Sequence, residues 1–149
     1  MSDAAYPLTL RVDGTEHELA VGADDTLLDV LRDRLRLHGC RETCGIGVCG
    51  SCTVRMDGRA VSSCLTMAFT CAGAEVETGE SPAAERVRRA FLDNQAFQCS
   101  YCTPGFVMSV AAMLDEPPER RDVEAALSGH LCRCGSYRQI RAAVRELLD

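Results

Sequence analysis

Apolar positions along the first half of the chain change period twice. Leu8, Leu10 and Val12 alternate with polar residues, Asp13-Gly14 interrupts, and Leu19 and Val21 resume the alternation. Alternation on both sides of Asp-Gly predicts a β-hairpin. Leu27, Leu28, Leu31 and Leu35 then recur at helical spacing, and Thr26 with Asp29 three residues on supplies a start signal for that helix. A second hairpin is predicted from Ser51 to Cys64, turning at Asp57-Gly58. A two-residue loop there pairs Met56 with Arg59 and brings Cys64 opposite Ser51, one position from Cys52.

The second half has helical spacing throughout. Ser81-Pro82 is an N-cap and first-turn pair ahead of Val87, Ala90, Phe91 and Ala96. Thr103-Pro104 starts a second helix, with Val107, Val110, Ala111 and Leu114 on one face, and Pro117-Pro118 ends it. Val123, Ala126 and Leu127 form a short third helix closed by Gly129. Ser136 and Gln139 read as a capping box for a fourth, carrying Ile140, Val144, Leu147 and Leu148. Four helices in about 65 residues make a small core, which a metal centre inside the helices would reinforce. Between the halves, Glu77-Thr-Gly-Glu-Ser-Pro82 is polar, carries Gly and Pro, and reads as a linker. The expected division is residues 1–79 and 80–149.

Composition sharpens this picture at one point. Ten of 149 residues are cysteine. The N-terminal Met-Ser-Asp-Ala-Ala-Tyr-Pro has neither the basic nor the apolar segment of an export signal, so a cytoplasmic location and reduced thiols are expected. Metal or redox chemistry then outranks a disulfide framework. No apolar run is long enough to span a membrane. The net charge of −6, with 16 basic residues that are all Arg, argues against a nucleic-acid partner.

The cysteines fall into sets. Cys44, Cys49 and Cys52, followed by Cys64, have the C-x4-C-x2-C…C spacing of plant-type [2Fe–2S] ferredoxins. Gly45, Gly47 and Gly50 let that loop turn sharply and bring amide N–H groups toward the sulfurs. Cys99 and Cys102, with Cys132 and Cys134, form a CxxC and a CxC, each beside a predicted helix N-terminus that favours negative charge. Spacing alone leaves this second set open to zinc or to an iron–sulfur cluster. Cys40 and Cys71 read as small apolar core residues. His130 reads first as solvent-exposed, with a hydrogen bond near a cluster as the rival reading; Tyr101 and Tyr137 read as packing residues.

Gln98-Cys-Ser-Tyr-Cys-Thr-Pro-Gly-Phe106 and Leu127-Ser-Gly-His-Leu-Cys-Arg-Cys134, with Tyr137 and Ile140, resemble the second-cluster motif of the molybdenum hydroxylases, the family of xanthine dehydrogenase, aldehyde oxidoreductase and aerobic carbon monoxide dehydrogenase. Thr26 to Leu31, Cys44 to Val54, and Ser63-Cys64 are similar to the family's first-cluster half. Departures occur at Thr43, Ser100-Tyr101, His130 and Gly135-Ser136, where the family usually has Gly, Gly-Phe, Asn and Thr-Gly.

The resemblance implies an α+β chain, with an N-terminal β-grasp ferredoxin domain and an all-α four-helix domain, each holding one [2Fe–2S] cluster. It implies an oxidoreductase subunit that performs no substrate chemistry itself. Electrons would pass from the molybdopterin centre of a large subunit through the helical-domain cluster and the ferredoxin-domain cluster to FAD on a medium subunit. The assembly would be a dimer of heterotrimers, and Gln98 and Cys134 would lie against the pterin. Two rival readings are a free-standing two-cluster carrier and a zinc-stabilised interaction module.

Overall fold

The computed structural model describes residues 5–149, so most of the N-terminal stretch read for an export signal lies outside the described residues. Strands occupy the first half and the longer helices the second. Strands β1 (Tyr6–Val12) and β2 (Thr15–Val21) form the first hairpin, with Val12 opposite Thr15. Strands β3 (Thr53–Met56) and β4 (Arg59–Ser62) form the second, with Met56 opposite Arg59 as the sequence predicts. In both turns Asp and Gly take positive φ, at 49° and 84° for Asp13-Gly14 and at 49° and 81° for Asp57-Gly58. Two consecutive left-handed residues match the twist of the flanking strands, and Gly tolerates that conformation without a steric cost.

Strand β5 (Glu75–Glu77) lies between the hairpins, parallel to β1 and antiparallel to β3. The resulting mixed sheet has the order β2-β1-β5-β3-β4. The predicted helix after β2 does start at Thr26. Its helix α1 (Leu27–Asp29) opens on a complete capping box between Thr26 and Asp29, then continues as a π-helical turn over Val30–Arg34. Leu27, Val30 and Leu31 are buried against Leu8, Leu10, Val54 and Val76.

Helices α2 (Glu85–Asp93), α3 (Thr103–Asp115), α4 (Val123–Ser128) and α5 (Tyr137–Leu148) follow. Their apolar residues, led by Phe91, Phe106, Met108, Ile140 and Val144, form a second buried cluster separate from that of the sheet. Helix α3 departs from the one-faced pattern expected of it: Gly105 through Ala111 are all buried, because the helix packs on β3 as well as on α2 and α4. A helix that is apolar all round is one surrounded by protein.

The polar segment between the halves is packed tightly. Thr78 is fully buried, and both its amide and its hydroxyl donate to the Asp13 carboxylate, at 2.8 and 2.7 Å. Glu80 Oε1 accepts from the amides of His38 and Gly39, at 2.8 and 2.6 Å. Arg88 donates to the carbonyls of Gly79 and Ser81. These contacts orient the helices on the sheet.

Two candidate metal centres

The loop from Arg36 to Cys52 is irregular, and it carries three of the four cysteines of the first set. Gly45, Gly47 and Gly50 all take positive φ, between 66° and 73°, as the loop's sharp turns require. The amides of Ile46, Cys49 and Val48 point at the Cys44 sulfur and pull that thiol down to about 6. Burial pushes Cys64 up to about 11, helped by its hydrogen bond with Cys52 and opposed by the Gly47 amide. Cys49 shares a hydrogen bond with Cys44, and Cys64 feels the charge of both Cys52 and Cys44. The hairpin thus returns Cys64 to the loop as the register predicts. Ser63 fixes the join by donating its hydroxyl to the Cys52 carbonyl at 2.7 Å.

The second set gathers where three segments meet. Cys102 stands at the N-cap position of α3, and Ser136, two residues after Cys134, at that of α5, neither making a side-chain cap hydrogen bond. Burial pushes Cys102 up to about 12, with the neighbouring Cys132 thiol and the charge of Cys99 adding to it. Burial also raises Cys132, but the amides of Ser136 and Cys134, the Cys102 thiol and the Ser136 hydroxyl outweigh it and hold Cys132 below its ordinary value. Cys99 and Cys132 are therefore both neighbours of Cys102. Cys134 lies beside them, and its carbonyl accepts from Gln98 Nε2 at 3.4 Å. Cys99 is exposed and the other three are partly so.

Both sets present several sulfurs to one another with amide N–H groups aimed at them. That donor chemistry fits an anionic iron–sulfur group, whose sulfurs need positive dipoles nearby. No three His, Cys, Asp or Glu side chains among the described residues converge as a site for a single metal ion. Cys40 and Cys71 lie in the sheet's core, with their sulfurs directed at the carbonyls of Leu37 and Met67. Burial pushes Cys40 up to about 12 and raises Cys71 as well.

The segments that carry the two sets touch. The Leu131 amide, next to Cys132, donates to the Cys49 carbonyl at 3.0 Å. Gly105 in α3 lies so close to Gly50 that a Cβ there would overlap the Gly50 carbonyl oxygen. Tyr101, between Cys99 and Cys102, donates its hydroxyl to the Glu42 carbonyl at 2.6 Å, and Arg41 stacks over its ring. Tyr137 accepts from the Cys132 amide at 2.7 Å.

His130 overturns its first reading. It is 7% exposed, its ring packs 4.7 Å from that of Phe106, and Nε2 hydrogen-bonds Thr53 Oγ1 at 3.2 Å across the two halves. Burial drives its pKa down to about 4, so the imidazole is neutral. Sequence patterns miss His130 and Tyr101 as joining residues because their partners lie 77 and 59 positions away.

Comparison with known proteins follows this division. A 2Fe-2S iron-sulfur cluster binding domain matches residues 10–86, and a [2Fe-2S] binding domain matches residues 73–145. The chain is 42% identical over 142 residues to the nicotine 6-hydroxylase small subunit of Paenarthrobacter nicotinovorans, covering 92% of this chain and 86% of that one. It is 38% identical over 161 residues to the aldehyde oxidoreductase iron-sulfur-binding subunit PaoA of Escherichia coli O157:H7, covering 94% and 70%. A chain of quinoline 2-oxidoreductase from Pseudomonas putida 86 superposes with a TM-score of 0.82 at 29% identity, covering 99% and 94%. With both halves matched and relatives of this identity aligned over most of their length, the chain belongs to the small iron–sulfur subunits of the molybdenum hydroxylases, the electron-transfer components of multi-subunit oxidoreductases.

Proposed function

We propose that residues 1–79 form a β-grasp [2Fe–2S] domain and residues 80–149 a four-helix [2Fe–2S] domain. In this reading Cys44, Cys49, Cys52 and Cys64 hold one cluster, and Cys99, Cys102, Cys132 and Cys134 the other. The chain works in the cytoplasm and conducts electrons from a molybdopterin-bearing large subunit to an FAD-bearing medium subunit, within a dimer of heterotrimers. The observation that supports this reading is the proximity of Cys44 to Cys49, of Cys64 to Cys52 and of Cys102 to Cys132, with the two segments joined by the Leu131–Cys49 hydrogen bond.

When bound, each cluster supplies reversible one-electron chemistry. The chain's residues do the rest. The amides of Ile46, Val48 and Cys49 favour the thiolate of Cys44 and offset negative charge in the loop. The amides of Cys134 and Ser136 do the same for Cys132. Burial of Cys52, Cys64 and Cys49 keeps water from three of the first set's four cysteines. Gln98 is held against the Cys134 backbone, and this pair faces the pterin of the large subunit.

Purification with its partner subunits tests the proposal. Four irons and four acid-labile sulfides per chain are expected, with visible absorption and two EPR signals on reduction. Cys49→Ser should remove one signal and Cys102→Ser the other. Stoichiometric zinc, or loss of both signals from either variant while the chain stays folded, overturns the assignment.

A further inference from the structure

Ser136 opens α5 but does not cap it. Its backbone, at φ −72° and ψ 18°, lies outside the extended region of a capping residue, and its side chain makes no cap hydrogen bond. Instead its amide donates to Cys132 Sγ at 3.4 Å. The residue is 3% exposed, and Oγ has no hydrogen-bond partner among the described residues. A buried hydroxyl left unpaired is costly, so a fold that keeps one has a partner for it in its working state.

The neighbouring acceptor is the Cys132 sulfur, which already takes the amide of the same residue. The nearby hydroxyl of Tyr137 is occupied by the Cys132 amide and the His130 carbonyl.

We propose that the Ser136 hydroxyl donates a hydrogen bond to the Cys132 sulfur and makes the cluster of the second cysteine set easier to reduce. A thiolate bound to iron carries more negative charge than a thiol and is the stronger acceptor. Reduction adds one further negative charge, so a donor at that sulfur stabilises the reduced state more than the oxidised one. Ser136 is in this sense a positioning and tuning residue, and the inference rests on the cluster reading above.

The test is an EPR-monitored redox titration of the copurified complex carrying Ser136→Ala or Ser136→Thr. Ser136→Ala should lower the reduction equilibrium of the second-set cluster about tenfold, a midpoint about 59 mV more negative. The first-set signal, identified through Cys102→Ser, should not move. Ser136→Thr keeps the hydroxyl and should restore the wild-type midpoint. An unchanged midpoint in Ser136→Ala, an equal shift in both signals, or loss of second-set iron in Ser136→Ala overturns the proposal. Failure of the cluster reading would show differently, as missing iron and sulfide in the wild-type complex.

Discussion

At the scale of single residues, His130 shows how a side chain can matter while carrying no local signal. Burial of its ring between Thr53, Phe106 and Gly50 keeps it neutral, with a pKa near 4 against an ordinary 6.5. Between those values the unfolded chain binds a proton that the folded chain does not, so stability rises with pH there. The contribution is fully present above 6.5 and is lost as pH falls toward 4. Between pH 7 and pH 5 the loss amounts to about 2 kcal/mol. Urea denaturation of the wild type and His130→Asn at both pH values checks this: the wild type should lose about that much more than the variant. Parallel losses would mean that the imidazole is not the titrating group. The cysteines are the opposite case. Their spacing alone announces the first set, because three sulfurs from one loop need C-x4-C-x2-C with glycines between. Cys40 and Cys71 were also legible as small core residues, and both are buried in the sheet's cluster.

At the scale of elements, what could be read in advance depended on whether the signal was local. Both Asp-Gly turns set their registers through the backbone of two residues, and the register predicted for the second agrees with the structure. Two capping boxes looked alike in sequence, yet only one forms. Thr26 is extended, at φ −86° and ψ 161°, so its hydroxyl accepts from the Asp29 amide while the Asp29 carboxylate accepts from Thr26. Ser136 follows Gly135 at φ 78° and its amide is committed to a cysteine sulfur, a constraint set by the second cysteine site rather than by the helix. Thr26→Ala should therefore cost about 1 kcal/mol of stability. Comparison with Thr26→Ser, which keeps the cap oxygen and should stay near wild type, is the measurement. The π-helical turn at Val30–Arg34 and the all-round burial of α3 were not legible, because each depends on what packs against the helix.

At the scale of the molecule, α3 is pinned to the sheet at both ends. Gly105 at its start touches Gly50, and Asp115 at its end pairs with Arg55 of β3, which also pairs with Glu77 of β5. Ten residues of α-helix separate the two attachments by roughly 15 Å. The attachments differ in kind: the first is steric and lies at the cysteine sets, the second is ionic and lies away from them. Arg55 and Glu77 have side chains only 11% and 18% exposed, whereas Asp115 is 61% exposed. Removing the arginine charge strands the half-buried Glu77 without its partner. Arg55→Met should accordingly cost about 3 kcal/mol, and Glu77→Leu added to it should recover much of that, since an apolar pair leaves no unpaired charge. Asp115→Asn should cost less than about 1 kcal/mol because water already screens that pair. Denaturant titrations of the three variants measure these differences. Hydrogen exchange locates them: Arg55→Met should speed exchange near Asp115 while leaving Gly105 and the two EPR signals unchanged. The steric contact between Gly50 and Gly105 then holds the cysteine sets in place without the ionic latch, which would identify the latch as a stabiliser of the joined halves and not of the centres themselves.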